Sequence, residues 1–293
     1  MHLVTFMEAG ISRIGILDKP SNQVVDVCAV DQNFTSDMTT LIEQGAASMM
    51  TLREVLISGN GRLSLDQVTL LSPIIRPRRN IICVGKNYPE HVDEVSRAMS
   101  ANKTELPKWP IFFTKATTAV LSPQEAIPAS SDPTHSADYE GELAVVIGTE
   151  GRDISREQAM SHIFGYTIVN DVTSRRLQKQ HYQWFLGKSL DGFCPLGPSI
   201  VTTDEVVDVD ELVIETHVND ELRQWGQVRQ MIFSIPELIE CLSKVMTLLP
   251  GDIIATGTPS GVGMGFNPPR FLIAGDRVSI TIDPIGELAN TVC

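Results

Sequence analysis

The sequence predicts a mostly β, α+β protein in two parts. Short apolar runs bounded by Gly, Pro, Asn and Asp outnumber helical patterns along the 293 residues. Strands and helices do not alternate regularly, which argues against a doubly wound sheet. The cluster Pro73, Arg76, Pro77, Arg78 resists continuing either kind of element. It marks a boundary between a small N-terminal α+β unit, residues 1–75, and a larger unit, residues 76–293.

Met1–Phe6, Ser12–Leu17 and Val24–Val30 read as a meander, each run apolar-rich and closed by turn residues. Helical patterns follow around Met38–Gln44 and Met50–Ile57, then a short run from Val68 to Pro73. The larger unit opens with Asn80–Gly85, a buried-strand pattern ending in glycine. Further strands are expected at Ile111–Thr114, Gly141–Gly148, Gly165–Asn170, Leu212–Val218, Asp252–Thr256 and Arg277–Ile282. Val218-Asn219-Asp220-Glu221 carries a hairpin signal. Ser155-Arg-Glu-Gln158 is a capping-box pattern that would open a helix over Arg156–Ile163. Apolar residues from Ile235 to Leu249 recur at helical spacing, with Pro236 near the start and Gly251 beyond the end.

Composition excludes whole classes of partner. The 36 Asp+Glu exceed the 23 Lys+Arg, for a formal charge of −13. Nucleic-acid and anionic-membrane surfaces need clustered cations, so neither is expected. A small anionic substrate needs only a local cluster. The five cysteines are odd in number and show no CxxC spacing, which argues against a disulfide framework or thiolate zinc site and for a reducing compartment. No run approaches the ~20 apolar residues of a membrane span, and no basic-then-apolar leader is visible. A cytoplasmic protein is expected.

Four segments could carry chemistry. In Asp138-Tyr-Glu140-Gly-Glu142, a strand begins with Glu at i and i+2. Period-two geometry puts both carboxylates on one face, roughly 7 Å apart at Cα. Such a pair invites a divalent cation, or it is a solvated strand face. In Asn170-Asp171-Val-Thr-Ser-Arg175-Arg-Leu-Gln178, a helix starting near Asp171 would align Asp171, Arg175 and Gln178. The plainer alternative is a cap with an intrahelical Asp–Arg pair. In Gly85–Glu94, His91 and Glu94 are three apart and could touch on a helix, orienting an imidazole base, or both could be solvated. The polar stretch from there to Lys103 suits a mobile lid. In Trp184–Pro198, Lys188 lies among apolar residues and glycines, either facing a substrate oxyanion or snorkelling to solvent. Gly187-Lys188-Ser189 ends like a P-loop, but Tyr182 stands where its first glycine belongs. The run Gly257–Gly265 lacks the strand–GxGxxG–helix setting of a dinucleotide site.

Together and in this order, these segments resemble the fumarylacetoacetate hydrolase family. Ala255-Thr-Gly-Thr-Pro-Ser-Gly-Val-Gly263 and the ending Gly286-Glu-Leu-Ala-Asn-Thr-Val292 match as well, so the resemblance runs from about Asn80 to the C-terminus. It implies a C-terminal domain of rolled mixed β-sheet, usually in a homodimer. It implies Mg²⁺ or Mn²⁺ held by Glu140, Glu142 and Asp171, a donor set suited to hard cations. His91 and Glu94 match the family's His–Glu dyad, and Lys188 its oxyanion-facing lysine. Arg175, Gln178 and Thr258 fall where relatives contact substrate or support the site. No role follows for Lys86.

The reaction implied is hydrolysis of a 2,4-dioxo acid (an acylpyruvate such as fumarylpyruvate or acetylpyruvate). The substrate would chelate the metal through its carboxylate and 2-oxo oxygens, His91 activates water, and Lys188 stabilises the tetrahedral oxyanion. Cleavage of the C–C bond leaves pyruvate enolate and a carboxylic acid. Within the family, oxaloacetate decarboxylation, isomerisation of an unsaturated 2-oxo diacid and ureidoglycolate lyase chemistry are alternatives. Outside catalysis, a dimeric β protein that only binds a keto acid is the competing expectation.

Overall fold

The computed structural model describes residues 1–98 and 105–293. Strand Gly141–Ile147 is buried along its whole length, and its two faces organise the molecule. Leu143, Val145 and Ile147 point into a core shared with Ile168, Ile214, Ile280 and the helix residues Leu238, Ile239 and Leu242. Ala144 and Val146 point the other way, into a core with Leu3, Ile14, Cys83 and Val169. A strand apolar on both faces must be covered on both, and here it is.

The large mixed sheet runs in spatial order Arg62–Ser64, Gln23–Asp26, Ile11–Asp18, His2–Glu8, Cys194–Thr202, Ile163–Asn170, Gly141–Ile147, Ile253–Ala255, Ile81–Gly85, Ile111–Lys115. Most neighbours are antiparallel, but Ile253–Ala255 lies parallel to Ile81–Gly85. The N-terminal meander joins through His2 opposite Val201 and Leu3 opposite Ile200. A four-stranded antiparallel sheet, Glu221–Gln227, Val213–Val218, Arg277–Ile282, Gly286–Thr291, packs over the centre of the large one. This is the mostly β, α+β architecture expected. No described helix is long and apolar enough to cross a membrane.

Several elements depart from expectation for local reasons. Val24–Val30 is not one strand. It ends at Asp26, whose side chain accepts from the Ala29 N–H and caps a helical turn over Val27–Val30. The expected helix Arg156–Ile163 is only Arg156–Ala159 followed by a 3₁₀ turn, because Ile163 already belongs to a strand. Ser155 makes no side-chain cap there. The capping box forms instead at Ser234 and Glu237, opening the helix Ile235–Ser243. That helix stops short of Leu249 because the Ser243 carbonyl accepts from Asp153 N–H and its hydroxyl from Ile154 N–H. The Val218–Glu221 hairpin forms as read, with Asn219 and Asp220 both left-handed (φ 51° and 65°). Strand Cys194–Thr202, interrupted in sequence by Pro195 and Pro198, was not expected at all.

Candidate active site

The strand register builds the acidic cluster. Gly141 lies opposite Asn170, so Glu140 stands opposite Asp171, whose N–H donates to the Glu140 carbonyl at 2.8 Å. Residues directly opposite share a face, and so do residues two apart on one strand. Glu140, Glu142 and Asp171 therefore converge, with one oxygen from each within 4.8 Å of the others. All three are buried.

Asp171 does not start a helix. Thr173 and Ser174 pair with Asp138 and Ala137 as a short strand, and the helix begins only at Arg175. The intrahelical Asp–Arg pair is therefore absent. Arg175 reaches instead to Glu140 (Nη1 to Oε1, 2.6 Å) and to Asp138 (Nε to Oδ2, 2.8 Å).

Two lysines complete the cluster. Lys188 Nζ lies 2.7 Å from Glu140 Oε2 and 2.6 Å from Asp171 Oδ2. The lysine is buried and stacks its ammonium 4.9 Å over the Phe113 ring; Trp184 braces Phe113 edge-on. Lys115 Nζ donates to Asp171 Oδ1 at 2.7 Å and to the Val172 carbonyl at 2.9 Å. Asp138, Glu140, Glu142 and Asp171 thus face Lys115, Arg175 and Lys188, one cation short of balance. Lys115 and Asp138 carry this balance but were not singled out from sequence. Only a lysine closing the apolar run Ile111–Thr114 hinted at the first.

The charges tune one another. Burial by itself raises the Glu140 carboxyl, but Lys188 and Arg175 outweigh it and hold it below the usual range. Glu142 goes the other way: burial, then the negative charges of Asp171 and Glu140, push it well above the usual range. Burial opposes the charge on Lys188, yet Asp171 and Glu140 prevail and raise its pKa. Lys188 is thus a fixed cation bound to two carboxylates.

His91 and Glu94 lie on the helix Pro89–Ala98, and His91 Nδ1 meets Glu94 Oε2 at 3.2 Å. Glu94 Oε1 accepts from Gly261 N–H at 3.0 Å. A β-carbon at Gly265 would sit 2.1 Å from Glu94 Oε1, so a larger residue there would displace the Glu94 side chain from the dyad. The stretch read as a lid runs into residues 99–104, which lie outside the described residues.

Gly257, at φ +107°, donates its N–H to Glu142 Oε2 at 2.8 Å. Thr258 Oγ1 donates to the Gly141 carbonyl at 2.9 Å and accepts from Gln224 Nε2 at 2.7 Å. Gln178 Oε1 accepts weakly from Arg175 Nη1 at 3.4 Å. Arg175 Nη2 is buried with no hydrogen-bond partner among the described residues.

A cavity of about 330 Å³ gathers these groups: His91, Glu140, Glu142, Arg175, Gln178, Lys188 and Thr258 all line it. Glu94 and Asp171 stand behind that wall, each bonded to a lining residue. The volume suits a small molecule. The donor set suits a hard divalent cation, being all carboxylate oxygen. The Lys188 ammonium already sits between two of its members.

Replacing Lys115 with methionine is expected to destabilise the fold by ~3–5 kcal/mol, the usual cost of breaking a buried ion pair from one side. Denaturant titration of K115M checks this; an unchanged midpoint contradicts the role of Lys115 as the counter-charge of Asp171.

Comparison with known proteins bears on this site. Residues 80–293 match the family described as fumarylacetoacetate (FAA) hydrolase, C-terminal. An oxaloacetate tautomerase of Bacillus subtilis (strain 168) is 53% identical over 234 residues, covering 80% of this chain and 76% of that protein. The solved structure of a fumarylacetoacetate hydrolase of the psychrophile Exiguobacterium antarcticum superposes with a TM-score of 0.86 at 43% identity, covering 100% of this chain and 99% of that one. A maleylpyruvate hydrolase of Sphingobium sp. SYK-6, in complex with manganese(II) and pyruvate, superposes with a TM-score of 0.79 at 33% identity, covering 100% and 98%.

Proposed function

The chain belongs to the fumarylacetoacetate hydrolase family, and from that premise we propose that it is a divalent-cation-dependent tautomerase. Its substrate is oxaloacetate or a similarly small 2-oxo diacid, interconverted between enol and keto forms. The observation that carries the reading is the His91–Glu94 pair in a cavity whose Lys188 and Arg175 are committed to carboxylates. The 53% identity to an oxaloacetate tautomerase supports it.

Ketonisation adds a proton at C3 and removes one from the enol hydroxyl. No bond between heavy atoms breaks and no water is consumed. Glu94 fixes the His91 ring through Nδ1, leaving Nε2 to take a proton from solvent and deliver it to C3 while the enol hydroxyl proton is released to solvent. Arg175 Nη2, a buried donor without a partner, offers a hydrogen bond to a substrate oxygen. Lys188 and Lys115 hold the acidic residues in place. Glu140, Glu142 and Asp171 would hold Mg²⁺ or Mn²⁺, which when bound supplies Lewis-acid stabilisation of charge developing on the substrate.

Acylpyruvate hydrolysis is the second reading. It uses the same dyad to activate water, and the 33% identity to a maleylpyruvate hydrolase favours it. Measuring enol loss from oxaloacetate alongside pyruvate release from acetylpyruvate and oxaloacetate separates the two. Tautomerisation predicts fast enol loss with little pyruvate; rapid pyruvate release from acetylpyruvate makes the chain a hydrolase.

The raised Glu142 carboxyl gives a pH signature. A cation entering the cluster must displace its proton, so Mn²⁺ affinity is expected to rise with pH. The sign for the metal-free fold is opposite. A carboxyl raised on folding binds more protons in the native state, so its contribution to stability is lost as pH climbs from the ordinary carboxylate range through the raised value. Melting temperatures with and without Mn²⁺ across that range should diverge upward. A constant difference contradicts the assignment of Glu142 as a ligand.

A further inference from the structure

Lys86 lines the cavity, and the catalytic reading leaves it without a role. Its backbone is left-handed, at φ +56°, a conformation unfavourable for any residue with a β-carbon and readily taken by glycine. The neighbouring chain enforces it. Strand Ile81–Gly85 ends just before it, and buried Asn87 is tied by its amide to the Phe233 and Thr256 carbonyls at 3.0 and 2.8 Å. Asn87 Oδ1 accepts from Phe233 N–H at 2.8 Å and its carbonyl from Ile232 N–H at 2.8 Å. The turn needs the conformation, but nothing in it needs a lysine.

Lys86 is half-buried and lines the cavity, yet among the described residues no hydrogen bond or ion pair holds it. Lys188 and Arg175, by contrast, are each bound to two carboxylates. The two acids lining the cavity, Glu140 and Glu142, are buried, at 5% and 1% exposed. Exposed Lys179 also lines the cavity. In a chain of net charge −13, the charged lining residues that are not buried, Lys86 and Lys179, are both cations.

We propose that Lys86 is a specificity-determining residue that pairs with the distal carboxylate of a dicarboxylic substrate, whose 2-oxo acid end lies toward Glu140, Glu142 and Asp171. This rests on the tautomerase reading for the orientation of the substrate, but it makes its own claim: diacids are selected over monoacids at one named side chain. A cation kept at a strained backbone position is the pattern of a residue retained for a ligand.

The test is equilibrium binding to Mn²⁺-loaded protein, with malate and lactate as inert probes that differ by the distal carboxylate. Wild type should prefer malate. K86M and K86G should each reduce the malate-over-lactate preference by ~10–100-fold, the range for one charge-assisted hydrogen bond. K86R should retain most of it. K86G also relieves the left-handed strain, so its melting temperature should equal or exceed that of wild type, which a merely structural lysine would not allow. An unchanged preference in both K86M and K86G, or a wild type that binds malate no better than lactate, overturns the proposal. If the preference collapses but enol-oxaloacetate is not ketonised, the reaction assignment fails and the diacid selectivity stands.

Discussion

Glu142→Gln is expected to lower Mn²⁺ affinity by more than about 100-fold, since changing even a partner of a metal ligand costs 10–100-fold. The metal-free fold should keep its stability. Glu142 is the one member of the triad whose only side-chain hydrogen bond among the described residues is to a backbone donor, Gly257 N–H. Burial and its acidic neighbours keep its carboxyl protonated above the usual range, and glutamine resembles that neutral acid in shape and can still accept from Gly257. Glu140→Ala and Asp171→Ala should lose metal as well, but the first takes one of two carboxylates from both Arg175 and Lys188, and the second takes one from Lys188 and leaves Lys115 with none, so both also weaken the fold. Calorimetric titration with Mn²⁺ and a thermal melt of the metal-free E142Q variant separate these effects. Unchanged affinity in E142Q removes the metal from this cluster.

His91→Ala should lower the rate of enol-oxaloacetate ketonisation by ~10²–10⁴-fold, the usual worth of a positioned acid–base group. Mn²⁺ affinity should be unaffected, because His91 is hydrogen-bonded to Glu94 and not to the triad. Glu94→Gln should cost less, since it leaves the imidazole in place and weakens only its orientation and basicity. If H91A ketonises at the wild-type rate, the proton carrier is elsewhere. If it loses Mn²⁺ instead, the imidazole belongs to the metal cluster.

The part of the site legible in sequence was the part set by local periodicity. Glu140 and Glu142 share a face because a strand repeats every two residues. His91 and Glu94 touch because a helix brings i and i+3 together. The place of Asp171 was set by something non-local, the register that puts Gly141 opposite Asn170. Sequence spacing suggested a helix start, but the pairing of Thr173 and Ser174 with Ala137 and Asp138 won. Lys115 is 56 positions from its partner Asp171, and no local pattern announces such a pair. Strand Cys194–Thr202 was hidden by Pro195 and Pro198, which propensity assigns to loops. Glu221–Gln227 was hidden because it is an edge strand, with Glu221, Leu222 and Trp225 exposed and no clean apolar face. The fold class survived these omissions because three neighbouring strands of the large sheet, Ile163–Asn170, Gly141–Ile147 and Ile253–Ala255, were read from their apolar runs.

The central claim is that His91 moves a proton at C3 of a 2-oxo diacid, and the stereochemistry of that proton tests it most directly. Enol-oxaloacetate is ketonised in D₂O by the Mn²⁺-loaded protein, and the keto product is trapped at once by stereospecific reduction to malate. A single proton carrier on one side of the bound enol delivers deuterium to one face, so the malate should carry it at one of the two C3 positions, and H91A should abolish that bias. Deuterium divided evenly between the two positions, at the rate seen in buffer alone, would contradict the account.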